Sequence, residues 1–267
     1  MQVTALFTYP VKGCHRIDHD VARVEPWGLA GDRRWMLIDA DGVGITQRGD
    51  PRPTQLRVRT RPGGIVLSAP GLPDLDVDEP VGGPELDVRV FKSHAPAPAR
   101  LAESAWSSAF YGRPARLAWQ ADPGGRNVGG GSEDGEPVSL ADGYPLLLAN
   151  EASLAALNDW LLEAGDEPVP MTRFRPNLVV SGAAPWAEDD WSARSVRLRI
   201  GDVVLRAEGG CPRCVVTTID QETGDKGKQP LRALGQHRRF TDGLLFAINI
   251  IPAPGSLRVG DPVTVLD

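Results

Sequence analysis

The sequence has few cysteines, few aromatic residues and no long apolar run. Its 267 residues include three cysteines, and this odd number excludes the disulfide framework of a small secreted protein. No window reaches the length of apolar residues that a membrane-spanning helix needs. The N-terminal residues MQVTALFTYPVKGC lack the charged start and apolar segment of a signal peptide. We therefore expect a reduced, cytoplasmic protein that is not bound to a membrane.

The chain also has fewer basic residues than acidic residues. The chain has 29 Lys and Arg against 35 Asp and Glu, which gives a net charge of −6. This balance excludes the broad basic surface with which proteins bind nucleic acid or anionic membranes. Any anion site must therefore be a local cluster of arginine and lysine.

Turn-forming residues are abundant, with 30 Gly and 24 Pro. They divide the chain into short runs, several of which alternate apolar and polar residues, and this pattern favours strands. Helices are predicted at residues 99–113, after Asn150 as N-cap, and at residues 231–240. The fold class is therefore mainly β with a few helices (α+β), in two associated β units. Residues 121–137 are polar and glycine-rich, and they predict a mobile loop or lid.

Cys211 and Cys214 form a C-x-x-C pair in GGCPRCVVTTIDQETG, residues 209–224. Such a pair serves a thioredoxin-like dithiol, a zinc site, or a soft metal centre to which the protein supplies one sulfur. The β-branched residues after Cys214 predict a strand, whereas a dithiol motif precedes a helix. A zinc site needs four Cys or His ligands, and no second pair is evident. These alternatives, and two cysteines that simply pack as apolar residues, stay open on the residues alone.

Cationic residues recur beside glycine or proline at the ends of predicted strands. Lys12 lies in YPVKGC, Arg33 in GDRRW and Arg175 in FRPN. Arg175 precedes a proline and is therefore predicted to be extended. In an acidic chain, this recurrence indicates an anion-binding site.

The motifs, taken in order, resemble the MOSC family. YPVKGC, GDRRWMLID, NEASLAALN, FRPNLVVSG, CPRCVVTTIDQETG and VGDPV follow one another along nearly the whole chain, as in the members that reduce N-hydroxylated compounds. The resemblance implies a MOSC N-terminal β-barrel-type domain at residues 1–112 and a MOSC domain at residues 113–267. It also implies two associated β-barrel-like units with the cofactor pocket between them.

A molybdenum cofactor, a pterin dithiolene with one phosphate, is implied by the same resemblance. In the family, the cysteine before the β-branched run binds molybdenum, so Cys214 is the expected catalytic and metal-binding residue, with Cys211 as its neighbour. The residues that correspond to cofactor contacts are Lys12, Gly13, Arg33, Gly143, Tyr144, Arg175, Asn177, Pro212 and Arg213. Relatives often carry a serine at the position of Gly13 and hydroxyls at the turn of Gly143, so backbone N–H groups are expected to replace these hydroxyls.

The implied activity is a molybdenum-dependent reduction of the N–O bond in small N-hydroxylated substrates. Electrons are expected from a separate donor of ferredoxin, flavin reductase or cytochrome type, because a 2Fe–2S module would need four more cysteines. The family also includes cofactor sulfurases, so the alternative is a molybdenum cofactor or sulfur carrier without turnover of its own. Asp142 and Asp220 are candidate proton donors by position.

Overall fold

Short β-strands make up most of the protein, because glycine and proline interrupt its apolar runs every few residues. The structure is a computed structural model, and it describes residues 1–91, 97–128 and 135–266. The strands within these ranges are β1 (Gln2–Thr8), β2 (Ile17–His19), β3 (Val21–Glu25), β4 (Gly28–Leu29), β5 (Trp35–Ile38), β6 (Arg57–Arg61), β7 (Gly64–Ser68), β8 (Leu75–Asp78), β9 (Glu85–Val88), β10 (Ala97–Glu103), β11 (Arg116–Trp119), β12 (Leu146–Asn150), β13 (Leu178–Ser181), β14 (Arg197–Ile200), β15 (Val203–Pro212), β16 (Arg239–Phe240), β17 (Gly243–Pro252), β18 (Gly255–Arg258) and β19 (Val263–Leu266).

Helices are few and short. Among the described residues they are α1 (Ala105–Tyr111), α2 (Glu151–Glu163), α3 (Ala187–Ala193) and α4 (Leu231–His237). The same described ranges contain four 3₁₀ helices, at Arg52–Gln55, Pro123–Gly125, Met171–Phe174 and Val215–Thr218. Asn150 caps α2 as predicted, since its side chain accepts a hydrogen bond from the Ala152 N–H. The prediction of a mainly β fold with a few helices is confirmed.

One large sheet joins both ends of the chain. Its strand order is β19-β14-β15-β17-β12-β13-β1-β2, and β16 pairs with β17. The first strand, β1, therefore lies against β13, and β3 pairs with β18. Smaller sheets have the orders β5-β11-β10-β9 and β6-β7-β8. The division of the chain at residues 112 and 113 stays a prediction, and hydrogen bonds cross it.

Two buried apolar clusters support this arrangement. One lies on the large sheet and includes Leu6, Leu148 and Ile248. The other includes Trp35 and Leu117 and lies against the smaller sheets. The segments that follow β1 and β15 and those that precede β12 and β13 line one cavity. Loop segments at strand ends thus build the site, while the strands themselves hold it rigid.

The helix predicted at residues 99–113 is only half correct. Residues 97–103 form β10, and the helix α1 begins at Ala105. Small residues at 97 and 99 are buried while Pro98 is exposed, which is the two-residue alternation of a strand. The helix begins where the Glu103 carboxylate accepts hydrogen bonds from the N–H groups of Trp106 and Ser107.

Candidate functional site

A cavity of about 440 Å³ collects all of the residues predicted to bind a cofactor or metal. Its wall includes Lys12, Gly13, Arg33, Gly143, Tyr144, Arg175, Asn177, Pro212, Arg213 and Cys214. These residues come from five separate segments of the chain. Their proximity is a property of the fold, and their roles toward a ligand stay predictions.

Arg33 and Arg175 lie on Tyr9, just beyond the end of β1. The guanidinium carbon of Arg33 is 4.7 Å from the centre of the Tyr9 ring, and that of Arg175 is 4.1 Å away. Burial raises the pKa of Tyr9 to about 12 against the effect of both arginines, so the ring stays neutral. Its hydroxyl donates to the carbonyl of Pro176 at 3.0 Å. Tyr9 therefore positions two like charges side by side without neutralising either of them.

Arg33 has a carboxylate partner. It is paired with Asp32, whose side chain is completely buried, and it donates to the side-chain oxygen of Asn177 at 3.2 Å. Asn177 also donates to Asp32 at 3.1 Å and to the Phe7 carbonyl at 3.1 Å. The Asn177 amide is thus bonded on both sides to protein atoms, and it holds Arg33 and Asp32 in place.

Arg175 has no carboxylate partner within the residues that the structure describes. It is only 9% exposed, and one guanidinium nitrogen, Nη2, has no hydrogen-bond partner. The other, Nη1, donates to the Cys14 carbonyl at 2.9 Å and to the side-chain oxygen of Gln221 at 2.8 Å. A buried charge without a counter-ion is costly, so this group favours an anion from outside the chain.

The backbone at Arg175 is left-handed rather than extended, and the prediction from Pro176 is wrong. Its φ is 54° and its ψ is 48°. The N–H of Arg175 donates to the Thr172 carbonyl at 3.2 Å and closes the 3₁₀ helix Met171–Phe174. Arg33 is left-handed as well, with φ 48°. Such conformations cost about 1–3 kcal/mol each, and the buried bonds of both guanidinium groups offset this strain.

Two buried glutamines fix the position of Arg175. Gln47 donates to the side-chain oxygen of Gln221 at 3.0 Å, and Gln221 donates back at 3.1 Å. Gln47 also donates to the carbonyl of Gly13 at 2.6 Å. Gln47 is 2% and Gln221 is 4% exposed. The pair connects one guanidinium to the loops of Gly13 and Gln47, which line the cavity, and to the segment of Gln221 behind them. No sequence pattern predicted a role in the site for either glutamine.

Asp142 links two cations at the cavity wall. Lys12 is buried and donates to Asp142 and, at 2.9 Å, to the Leu140 carbonyl. Arg48 donates to the other oxygen of Asp142 at 2.9 Å. Partial burial opposes ionisation of Asp142, but the charges of Lys12 and Arg48 hold its pKa far below the usual range. Asp142 is therefore an ionised acceptor near neutral pH, which argues against its predicted role as proton donor.

Lys12 and Arg48 respond in different ways to the same carboxylate. Burial lowers the pKa of Lys12 to about 8, although Asp142 raises it. Burial also opposes the charge of Arg48, but Asp142 and then Cys214 raise its pKa. Arg48 lies over the ring of Phe91 at 4.4 Å. It lines the cavity between Asp142 and the predicted metal ligand, and no motif in the sequence pointed to it.

The backbone around Cys214 is extended, with φ −124° and ψ −179°, and a 3₁₀ helix follows at Val215–Thr218. The strand predicted for VVTTI is therefore wrong. The hydroxyls of Thr217 and Thr218 donate to the carbonyls of Cys214 and Val215 at 2.9 and 2.8 Å, and such local bonds compete with a strand. No α-helix begins at Cys214, so the helix of a thioredoxin-like motif is missing here.

Cys211 and Cys214 are both free and partly buried. Arg213 lies between them and donates to the Cys211 sulfur at 2.8 Å and to the Phe174 carbonyl at 2.7 Å. Its Nε is buried without a partner. Within the described ranges, no group of three or more His, Cys, Asp or Glu side chains could hold a metal ion. A metal at this site would therefore need ligands from outside the chain in addition to a cysteine sulfur.

Two glycines line the cavity, and they differ in the space around them. Gly13 has φ +86°, and a Cβ atom there would lie 3.3 Å from Pro53. Gly143 lines the cavity and has no other atom within 4 Å of the position of a Cβ. The backbone of Gly143 is therefore open to a ligand, which fits the expectation that N–H groups replace hydroxyls. Tyr144 and Pro212 complete this part of the wall.

The residues present fit a pterin cofactor with a phosphate. The cavity has the size of a typical small-molecule site. It contains one unneutralised, buried guanidinium, Arg175, and a second, Arg213, with an unpartnered nitrogen. Cys214 supplies a soft sulfur at the same cavity. This donor set suits an anion and a thiophilic metal together.

Two other predictions fall at or beyond the edge of the site. Asp220 does not line the cavity; it pairs with Arg173 at 3.2 Å and accepts from the Glu222 N–H at 2.8 Å. The predicted lid, residues 121–137, includes residues 129–134, which lie outside the described residues. In the described part of that segment, Arg126 donates to the Ala141 carbonyl at 2.8 Å. Its role as a lid stays a prediction.

Across the described part of the chain, no helix has the length and apolar character to cross a membrane. The cytoplasmic location stays a prediction.

Comparisons with known proteins agree with the motifs. The family model of the MOSC N-terminal beta barrel domain matches residues 1–114, and that of the MOSC domain matches residues 135–264. The chain is 31% identical to mitochondrial amidoxime-reducing component 1 of Homo sapiens, over 99% of this chain and 82% of that protein. It is 32% identical to mitochondrial amidoxime reducing component 2 of Rattus norvegicus, over 98% and 82%.

A third relative is the molybdenum cofactor sulfurase of Danio rerio, which is 30% identical over 92% of this chain but only 32% of that protein. Together the two family models cover nearly the whole chain, in the order that the motifs predicted. The cavity lies where motifs from both matched regions meet. This protein belongs to the MOSC family.

Proposed function

We propose that the cavity binds a molybdenum cofactor and that the protein reduces N-hydroxylated compounds with electrons from a separate carrier protein. The observation that carries the proposal is Arg175, a buried guanidinium with an unpartnered nitrogen and no carboxylate partner among the described residues. A phosphate ester is an anion that such a group binds well. The amidoxime-reducing relatives support the class of reaction.

Arg175 and Arg213 are the residues best placed to hold the phosphate and the pterin. Each keeps an unpartnered, buried nitrogen, and a hydrogen bond to a charged group contributes about 1.5–3 kcal/mol. Lys12 and Arg33 are already paired with Asp142 and Asp32. We therefore assign these two a supporting role, in which they shape the positive wall of the cavity and contact the ligand with their remaining donors.

Cys214 is the proposed metal ligand. Its sulfur is partly buried at the cavity, and coordination removes the proton of a thiol. When bound, the cofactor would supply the redox chemistry. The N–O bond of the N–OH group breaks with the uptake of two electrons and two protons, the nitrogen gains a hydrogen, and the oxygen departs as water. Asp142 is an ionised and half-exposed carboxylate. It accepts a hydrogen bond from an N–H group of the substrate, such as the amino group of an amidoxime.

The test is turnover of benzamidoxime by the molybdenum-loaded protein with reduced methyl viologen as donor. We expect benzamidine as product, and we expect Cys214→Ser to abolish its formation. Cys211→Ser, at the neighbouring thiol, is the matched variant and should keep its molybdenum. Full activity of metal-loaded Cys214→Ser would contradict the assignment.

Arg175→Ala tests the anchoring role separately. We expect the purified variant to contain much less molybdenum and pterin than the unmodified protein. Arg59→Ala, at an exposed arginine on β6, should leave the content unchanged. Equal molybdenum content in Arg175→Ala and the unmodified protein would show that the guanidinium does not anchor the cofactor.

The second candidate function is a cofactor or sulfur carrier without turnover. The similarity to a molybdenum cofactor sulfurase, at an identity close to that of the reductases, favours it. The same assay separates the two functions. A carrier contains molybdenum and pterin but forms no benzamidine from benzamidoxime, whereas a reductase does both.

A further inference from the structure

A cluster of positive charge stands out on this acidic protein. Residues 225–242 contain five Lys and Arg against two Asp, whereas the whole chain has a net charge of −6. One of the five, Arg238, is buried and paired with Asp189. The other four are exposed, and none forms an ion pair with any residue that the structure describes. We call these four the cationic face: Lys226, Lys228, Arg232 and Arg239.

The cationic face lies next to the segment that carries Cys214. Helix α4, which bears Arg232, contacts the 3₁₀ helix Val215–Thr218, and Cys214 is the N-cap of that helix. The N–H of Gly227 donates to the Thr218 carbonyl at 2.9 Å, which fixes the two flanking lysines beside the same turn. This face is therefore adjacent in the fold to the segment that begins at the predicted metal ligand.

Exposed apolar residues accompany the charges. Phe240, beside Arg239, is 45% exposed, and Val215, beside Cys214, is 44% exposed. The buried Arg238 lies 4.7 Å from the centre of the Phe240 ring and holds it in place. Exposed apolar residues surrounded by charged residues are typical of a protein–protein interface.

We propose that the cationic face is the docking surface for an acidic electron-carrier protein. The inference rests on the proposed function, which requires electrons from a separate protein. Unpaired cations attract and orient an acidic partner, and this steering raises the rate of encounter. Electron transfer becomes steeply slower with distance, so a donor gains most by docking where little protein separates it from the Cys214 sulfur.

The test uses an acidic [2Fe–2S] ferredoxin as the probe and isothermal titration to measure its binding. The variant is the double charge reversal Arg232→Glu with Arg239→Glu, and the matched control is Arg59→Glu, an exposed arginine on β6. We expect the dissociation constant to rise by about tenfold or more in the double variant at low salt. High salt should weaken binding of the unmodified protein, and the control should bind as the unmodified protein does.

Three outcomes would overturn the proposal. The first is that the unmodified protein fails to bind the ferredoxin at low salt. The second is that the double variant binds the ferredoxin as tightly as the unmodified protein does. The third is that the Arg59→Glu control loses as much affinity as the double variant, which would mean that only net charge matters. Binding to phosphatidylglycerol vesicles in place of the ferredoxin would assign the face to a membrane surface instead. Turnover with reduced viologen reports on the proposed function alone, so the two failures are distinguishable.

Discussion

The buried amide pair of Gln47 and Gln221 offers a quantitative test of how the cavity is held together. Replacing Gln221 by leucine removes an acceptor of Arg175 and leaves the side-chain oxygen of Gln47 without a donor. Each buried polar group left unsatisfied costs about 1–3 kcal/mol. We therefore expect a loss of about 3 kcal/mol in the free energy of unfolding, or a fall in Tm of about 6–12 °C for a chain of this size.

Thermal unfolding of the cofactor-free protein, followed by circular dichroism, measures this loss. Gln236→Leu, at an exposed position on α4, is the control and should change stability by less than about 0.5 kcal/mol. The double variant Gln47→Leu with Gln221→Leu should lose less than the sum of the single changes, because each removes the partner that the other needs. An unchanged Tm in Gln221→Leu, or simple additivity, would refute the reasoning.

Gln221→Glu separates positioning of Arg175 from its charge. A carboxylate keeps the acceptor that Nη1 uses, so the fold should be retained. It also supplies the missing counter-ion, and the affinity for an external anion should fall. We expect a Tm closer to that of the unmodified protein than Gln221→Leu shows, together with a lower molybdenum content. Full molybdenum content would mean that the free charge of Arg175 is not what binds the cofactor.

Further predictions concern Lys12 and a glycine behind the cavity turn. Burial lowers the pKa of Lys12 to about 8, and the Asp142 carboxylate raises it. The pKa should therefore fall further in Asp142→Asn. NMR titration of the Lys12 Nζ measures this change, and an unchanged pKa would contradict the prediction. Since the folded protein releases this proton at lower pH than the unfolded chain, the free energy of unfolding should rise with pH between about 8 and 10.5; chemical denaturation measures it. Gly28→Ala places a Cβ 2.8 Å from the Pro145 carbonyl oxygen, at a backbone φ of +133°. The Tm should therefore fall by several degrees. Gly49→Ala, where the Cβ position is open, should change the Tm little, and equal Tm values in the two variants would contradict the predicted clash.

The sequence predicts the cavity wall better than it predicts the backbone that forms it. Lys12, Arg33 and Arg175 were found because glycine or proline beside a charge at a strand end is a local pattern. The same local rule failed for the conformation of Arg175, where bonds to Cys14 and Gln221 stabilise a left-handed backbone. Propensity thus identified the position and tertiary contacts decided its conformation.

The residues that the sequence did not reveal act across the fold. Gln47 and Gln221 pair over 174 residues, and Arg48 reaches Asp142 over 94 residues. No spacing in a single sequence reports such contacts. The VVTT segment was misassigned for a different reason: β-branched residues favour strands on average, but the hydroxyls of Thr217 and Thr218 bond to nearby carbonyls and stabilise a turn.

The central claim is that the sulfur of Cys214 binds the molybdenum of a pterin cofactor. X-ray absorption at the molybdenum edge of the loaded protein tests it most directly, because the number of sulfur ligands can be counted. The account predicts one sulfur ligand fewer in Cys214→Ser than in the unmodified protein, and an unchanged number in Cys211→Ser. The same sulfur count in Cys214→Ser and the unmodified protein would contradict it.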